Sequence, residues 1–212
     1  MTIYRFHLLF ISLITLFTGA CTTTTSLTGV WFDKQYSGPP LQNIMIIAVT
    51  ENTRNRRIFE DALVKQFSQA GTKATASYTV FPGVEQLNKD LIAEKSASLK
   101  LDGIIITTIT AIENEELYYP PASTYVAPQP YYHNMWTYYP QVYETNTSPG
   151  YTVKYEHVKL ESNLYNPDTE KLIWSAQSQL FDPKSQDLNT VSESLAWKFI
   201  QSLRKAKLLK QK

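Results

Sequence analysis

One cysteine, Cys21, and seven scattered glycines set the first limits on what this chain of 212 residues can do. The glycines stand singly at 19, 29, 38, 71, 83, 103 and 150, so no glycine-rich loop is available to cradle a phosphate. No G-x-S-x-G, H-E-x-x-H or Walker pattern occurs either. An excess of charge of one sign is also missing. Twenty Lys and Arg face 19 Asp and Glu, and that near-balance argues against a dedicated nucleic-acid binder. With 43% apolar and 18% charged residues, the chain is neither largely disordered nor a coiled coil. Its length suits one domain with short additions.

Long apolar runs are scarce, and the one that occurs lies at the N-terminus. Leu8 to Phe17 is almost purely apolar, but ten residues span only about 15 Å as a helix, half of a ~30 Å hydrocarbon core. With Arg5 ahead of it and Gly19 and Ala20 behind, residues 1–20 read as a signal peptide. Thr18, Gly19 and Ala20 before Cys21 resemble the lipobox of bacterial lipoproteins, with Thr18 where leucine is usual. The resemblance implies a covalent lipid on Cys21 as the only non-protein group, a membrane anchor, and a mature chain starting at Cys21. Thr22 after it implies sorting to the outer membrane, with the domain in the periplasm. Lipidation would use the only thiol, which leaves neither disulfide nor thiolate chemistry. Two or three acyl chains anchor stably where one does not.

Residues 21–40 then read as lipidated cysteine and tether, small and polar over Thr22 to Gly29 and closed by Gly38, Pro39 and Pro40. Trp31 and Phe32 are expected to pack on the domain that follows. That domain, 41–208, begins with a buried-strand pattern over Asn43 to Val49. A helix follows with Ile58, Ala62, Leu63, Phe67 and Ala70 on one stripe and Gly71 at its stop. Thr75 to Phe81 predicts a strand, Val84 to Leu99 a helix, and Asp102 to Ile112 a β-branched strand. Residues 118–150 break the pattern with six prolines and nine aromatics and read as a long excursion. Tyr151 to Tyr165 and Leu172 to Phe181 predict a hairpin around Pro167 and Asp168, with Trp174, Ala176, Ser178 and Leu180 on one face. A capping box at Thr190 and Glu193 opens a last helix with Leu195, Ala196, Phe199, Ile200 and Leu203 inward. The expected fold is α/β (α+β): one three-layer domain, a mixed sheet of about five strands in the order β-α-β-α-β, excursion, β-β-α, with helices packed on it.

This order, with the hairpin sequence LYNPDTEKLIWSAQSQ, resembles the periplasmic α/β lipoprotein domains related to the curli-secretion lipoprotein and the N-terminal domain of TolB. Trp31, Asp33 and Tyr36, then Arg56, Phe59 and Glu60, match motifs of that group, and Glu170 stands where its turn usually has glycine. The resemblance covers about residues 30–208.

Little in the sequence supplies a reaction. Beyond Cys21 only His133 and His157 remain as imidazoles, too few for a zinc site, and both read as packed or surface residues. Glu113, Glu115 and Glu116 are a solvated strand end or a weak calcium group. Arg54, Arg56 and Arg57 are an anion site at a helix N-terminus or, more simply, include helix-surface pairs with Glu60 and Asp61. The excursion is the candidate binding surface, through Tyr118, Tyr119, Tyr125, Tyr131, Tyr132, Trp136, Tyr138, Tyr139 and Tyr143. Tyrosine offers wide amphipathic contact at little entropic cost, and proline stiffens the segment. Folding of those rings back onto the sheet is the alternative. The sequence therefore predicts a non-enzymatic envelope lipoprotein, without metal or dissociable cofactor, that binds an envelope protein or glycan. A subunit of an oligomeric secretion or export assembly, and more remotely a periplasmic hydrolase, are the other readings.

Overall fold

In the computed structural model, residues 25–81, 89–121, 135–136, 149–183 and 187–211 are described. The strands are β1 (Thr25–Phe32), β2 (Asn43–Val49), β3 (Lys73–Ala76), β4 (Gly103–Tyr119), β5 (Tyr151–Tyr165) and β6 (Leu172–Phe181). The helices are α1 (Thr53–Gln69), α2 (Ser77–Val80), α3 (Lys89–Leu99) and α4 (Leu188–Lys205). All six strands join one sheet in the order β1-β6-β5-β4-β2-β3. β2 runs parallel to β3 and β4, and the other pairings are antiparallel. The α/β class therefore holds, with one more strand than expected.

Alternation in the central strands distributes the core over both sheet faces. Ile44, Ile46 and Ile105 point to one face, where Leu63 and Phe67 of α1 and Leu195, Phe199 and Ile200 of α4 meet them. Met45, Ile47 and Ile104 point the other way, onto Phe81, Leu101 and the partly buried Leu91 and Ile92 of α3. Three layers thus exist over the β2 half of the sheet. Across β5 and β6 the second face instead carries the polar row Glu161, Asn163, Ser175, Gln177 and Gln179. Trp174 anchors the first face, edge-on to Phe199 and donating its indole N–H to Ser202 at 3.0 Å.

Four expectations change. Thr25–Phe32, read as part of a 21–40 tether, is an edge strand on β6, and only Thr25 of it is buried. An edge strand has no hydrophobic stripe to announce it when a single row suffices to dock it. Thr75 to Phe81 does not stay extended: the strand stops at Ala76 and one helical turn follows, because Ser77 and Tyr78 are drawn to Glu60 of α1. β4 continues past Ile112 to Tyr119, so Tyr118 and Tyr119 are strand residues and not yet excursion. The last helix begins two residues ahead of Thr190, capped by Asp187, whose carboxylate accepts from the Thr190 N–H at 3.1 Å. Glu193 reaches Lys65 of α1 instead, at 2.6 Å. Gly71, by contrast, ends α1 as expected, in the left-handed region at φ 91°.

Glu170 also lies in the left-handed region, at φ 58°, in the hairpin turn between β5 and β6. A side chain there costs roughly 1 kcal/mol that glycine avoids. Glu170→Gly is expected to raise the melting temperature in a calorimetric scan, and a lower value would show that its side chain contributes more than its backbone strain costs.

The aromatic arm and the cleft at its root

β4 and β5 outlast their neighbours. β2 stops pairing at Val49, opposite Thr108, and β6 stops at Phe181, opposite His157. β4 and β5 stay paired to Tyr119 and Tyr151. From Ile109 onward β4 rises about 35 Å at ~3.3 Å per residue, the outer part as a two-stranded ribbon. Lys159 pairs with Glu113 at 2.6 Å and Lys154 with Glu116 at 2.6 Å across it, and His157 Nε2 hydrogen-bonds Glu115 at 2.8 Å. Exposed pairs of this kind contribute little stability, but they satisfy the acidic run without a cation. Among the described residues no metal-binding cluster occurs. The Glu116 carboxylate holds the Lys154 ammonium above its ordinary pKa.

Aromatic rings line one face of the ribbon. Tyr119 stacks on Tyr151 with centroids 5.1 Å apart, and its hydroxyl meets that of Tyr155 at 3.3 Å. That hydrogen bond raises the Tyr155 phenol above its usual pKa. Tyr155 and His157 both pack on Phe181. His157 Nδ1 pairs with the Gln179 amide at 2.9 Å and Nε2 with Glu115, so the imidazole is a structural link. At the ribbon's end Tyr118 and Tyr151 are 62% and 58% exposed, and Trp136 in the segment beyond is 75% exposed. Tyr125, Tyr131, Tyr132, Tyr138, Tyr139, Tyr143 and His133 lie outside the described residues, as does Cys21.

An open cleft of about 390 Å³ lies at the arm's root, on the face covered by α1 and α4. Ala48 and Val49 of β2, Ile109 and Ile112 of β4, Val158 and Leu160 of β5 and Leu180 of β6 form its floor. Phe59 near the start of α1 and Leu188 at the start of α4 wall it. A bulge decides part of this lining. Thr110 and Ala111 together face Lys159, so Ile109 and Ile112, three apart, reach the same sheet face opposite Leu160 and Val158. Strict alternation would have sent one of them to the far side. The sequence reading missed this cleft for that reason.

Beside the cleft, Glu60 is fully buried, and α1, β2 and α2 converge on it. Its Oε1 accepts from the Ala48 N–H at 2.9 Å, from Arg56 Nε at 3.1 Å and from Ser77 Oγ at 2.7 Å. Its Oε2 accepts from the Tyr78 N–H at 3.0 Å. Arg56 Nη2 donates to Ser77 Oγ at 2.8 Å. The expected Arg56–Glu60 spacing is therefore real, but the pair is buried and not on a solvated face. Burial of Arg56 and the seating of Arg57 over the Tyr78 ring, 5.5 Å away, leave no convergent arginine group for an anion at this helix end. Asp61 accepts from the Tyr78 hydroxyl at 2.7 Å instead of pairing with Arg57, and this bond raises the Tyr78 phenol.

Neither a protein-family model nor a curated protein sequence matches the chain. Solved structures are similar to it at low identity. The PelC dodecamer of Paraburkholderia phytofirmans aligns at 12% identity and a TM-score of 0.47, covering 86% of this chain and 99% of that one. Lipoprotein GNA1162 of Neisseria meningitidis aligns at 8% identity and a TM-score of 0.42, over 77% and 99%. A neuraminyllactose-binding hemagglutinin homolog of Helicobacter pylori aligns at 9% and 0.41, over 84% and 94%. Likenesses of this size assign neither family nor activity, and the functional reading rests on the chain's own residues.

Removing one partner of a buried ion pair strands the other, at a cost of about 3–5 kcal/mol. Glu60→Ala is expected to lower the free energy of unfolding in urea by that amount, and Arg56→Ala with Glu60→Ala to cost less than the two single losses added. A loss below about 1 kcal/mol for Glu60→Ala would show that this carboxylate does not hold the three elements together.

Proposed function

We propose that this protein is a lipid-anchored, non-enzymatic component of the bacterial outer membrane that binds an envelope protein or glycan through its arm and the 118–150 segment. The observation that carries this reading is a coincidence of ends. β1 starts at Thr25, opposite Leu180 at the upper end of β6, and Leu180 in turn lies opposite Val158 and so level with Ile112. The chain therefore leaves toward Cys21 at the end of the sheet from which the arm projects. Four residues from Thr25 to Cys21 reach at most about 14 Å. From the level of Ile112 the arm extends seven residues further, about 23 Å. With Cys21 lipidated, the domain stands against the bilayer instead of far from it, and the tyrosines at the arm's end reach the membrane interface. Tyrosine and tryptophan favour that zone, with rings in the headgroup layer and polar groups in water. The lipobox resemblance and the likeness of residues 30–208 to envelope lipoprotein domains support the same reading.

Charge on the ribbon shapes the choice among alternatives. One face carries Glu116, Lys154 and Glu156 and the other Glu113, Glu115, His157 and Lys159. A strand pair spanning lipid needs one face free of charge, so the described ribbon suits an interfacial contact better than a barrel wall. The reading as a subunit of an oligomeric secretion assembly draws on a different feature, the β1 edge, unpaired among the described residues, where Val30 and Trp31 are half exposed. Sedimentation in detergent separates the two, a monomer favouring the first and a discrete oligomer the second. For a hydrolase, His157 is the one described imidazole, and its second partner, the Gln179 amide, supplies no nucleophile.

Deleting residues 122–147 from the full lipoprotein is expected to leave a folded, anchored domain and to abolish its cross-links to envelope partners in intact cells. Cross-links unchanged by the deletion would overturn binding through this segment.

A further inference from the structure

We infer that the cleft at the root of the arm receives an acyl chain of the lipid carried by this protein's own Cys21. The inference rests on the anchor reading above and adds a binding site to it. Apolar side chains line the cleft from four adjacent strands, with Phe59 and Leu188 as walls. At about 390 Å³ it falls within the 300–1,000 Å³ range of small-molecule sites.

The lining favours one kind of occupant. Along the floor β5 is paired on both sides, by β4 and by β6 from His157 on, whereas β4 is paired on both sides only up to Thr108. The cleft offers mostly hydrocarbon surface, with Thr50, Asn55, Thr107, Thr108 and Glu156 also lining it, and an acyl chain suits the apolar floor and walls. The length of chain outside the described residues selects the source. Leu180, part of the floor, is the direct partner of Thr25, and Thr25 is buried on the same face. Cys21 is four residues earlier, so a lipid on its sulfur is confined to within about 14 Å of the cleft's β6 side. Such tethering gives an acyl chain of Cys21 an effective concentration that an untethered lipid lacks. The remaining chains of the anchor stay free for the bilayer. A chain seated in the cleft would be shielded from water whenever the lipoprotein is out of the membrane.

The test uses cells that make the full-length protein and are fed palmitic acid bearing a photoreactive diazirine. After irradiation the protein is purified, digested and mapped by mass spectrometry. Acyl adducts on peptides carrying Ile112, Val158 or Leu180 are expected, and Ile112→Trp should reduce them at least tenfold with label incorporation unchanged. Val49→Trp, at a second half-exposed lining position, should act alike. Label on the protein with no adduct in the cleft would overturn this inference and leave the anchor standing. Absence of label, equal to that of Cys21→Ala, would overturn both. Cleft adducts with the mass of a phospholipid, or joining the acyl chain of one isotopically marked copy to the cleft of another, would overturn the assignment to the protein's own lipid.

Discussion

The Glu60 carboxylate is the constraint on which the upper end of the molecule depends. It has no contact with solvent, and backbone N–H groups from β2 and α2 and side chains from α1 and α2 fill its lone pairs. Well-packed apolar residues can match such a network in stability, so what this pair supplies is placement. A carboxylate held by the N–H of Ala48 fixes the height of α1 along β2. Phe59, the preceding residue, then falls over the end of the sheet as the cleft's wall. The same carboxylate turns the chain at Ser77, which ends β3 after four residues.

Above that point the sheet narrows to two strands. β2 and β6 end near the level of Thr108 and His157, and the ribbon beyond has neither helix nor neighbouring strand against it among the described residues. Two strands alone are marginal in water. The ribbon compensates with stacked tyrosines, a hydroxyl pair and Phe181 packed at its base, and cross-strand ion pairs give it a fixed register. It is a projecting element built from side-chain pairs, suited to presenting rings at its end.

Much of the fold was legible because it depends on local periodicity. The Leu63–Phe67 stripe, Gly71, the Trp174–Leu180 face and the inward residues of α4 all follow from spacing along one element. What escaped depends on partners distant in sequence. β1 opens with the small residues Thr25, Ser26, Thr28 and Gly29 around Leu27 and becomes a strand because β6 offers it an edge. Glu113, Glu115 and Glu116 look like the end of a strand until Lys159, His157 and Lys154 are found opposite. Arg56 and Glu60 are recognisable as a pair by their spacing, but their burial comes from Ser77 and Ala48, which no helical pattern reveals. The aromatic surface was legible as composition, and the directions of Tyr118, Tyr119 and Trp136 were not.

β1 starts at the end of the sheet from which the arm projects, so a lipid on Cys21 would bring that end to the bilayer. Nitroxides attached at Thr152→Cys on the arm and at Asp168→Cys in the opposite turn, in lipidated protein on vesicles with nickel chelated at the lipid headgroups, measure this directly. Strong relaxation of the label at 152 and little at 168 are expected. Equal relaxation, or the reverse order, would contradict this orientation.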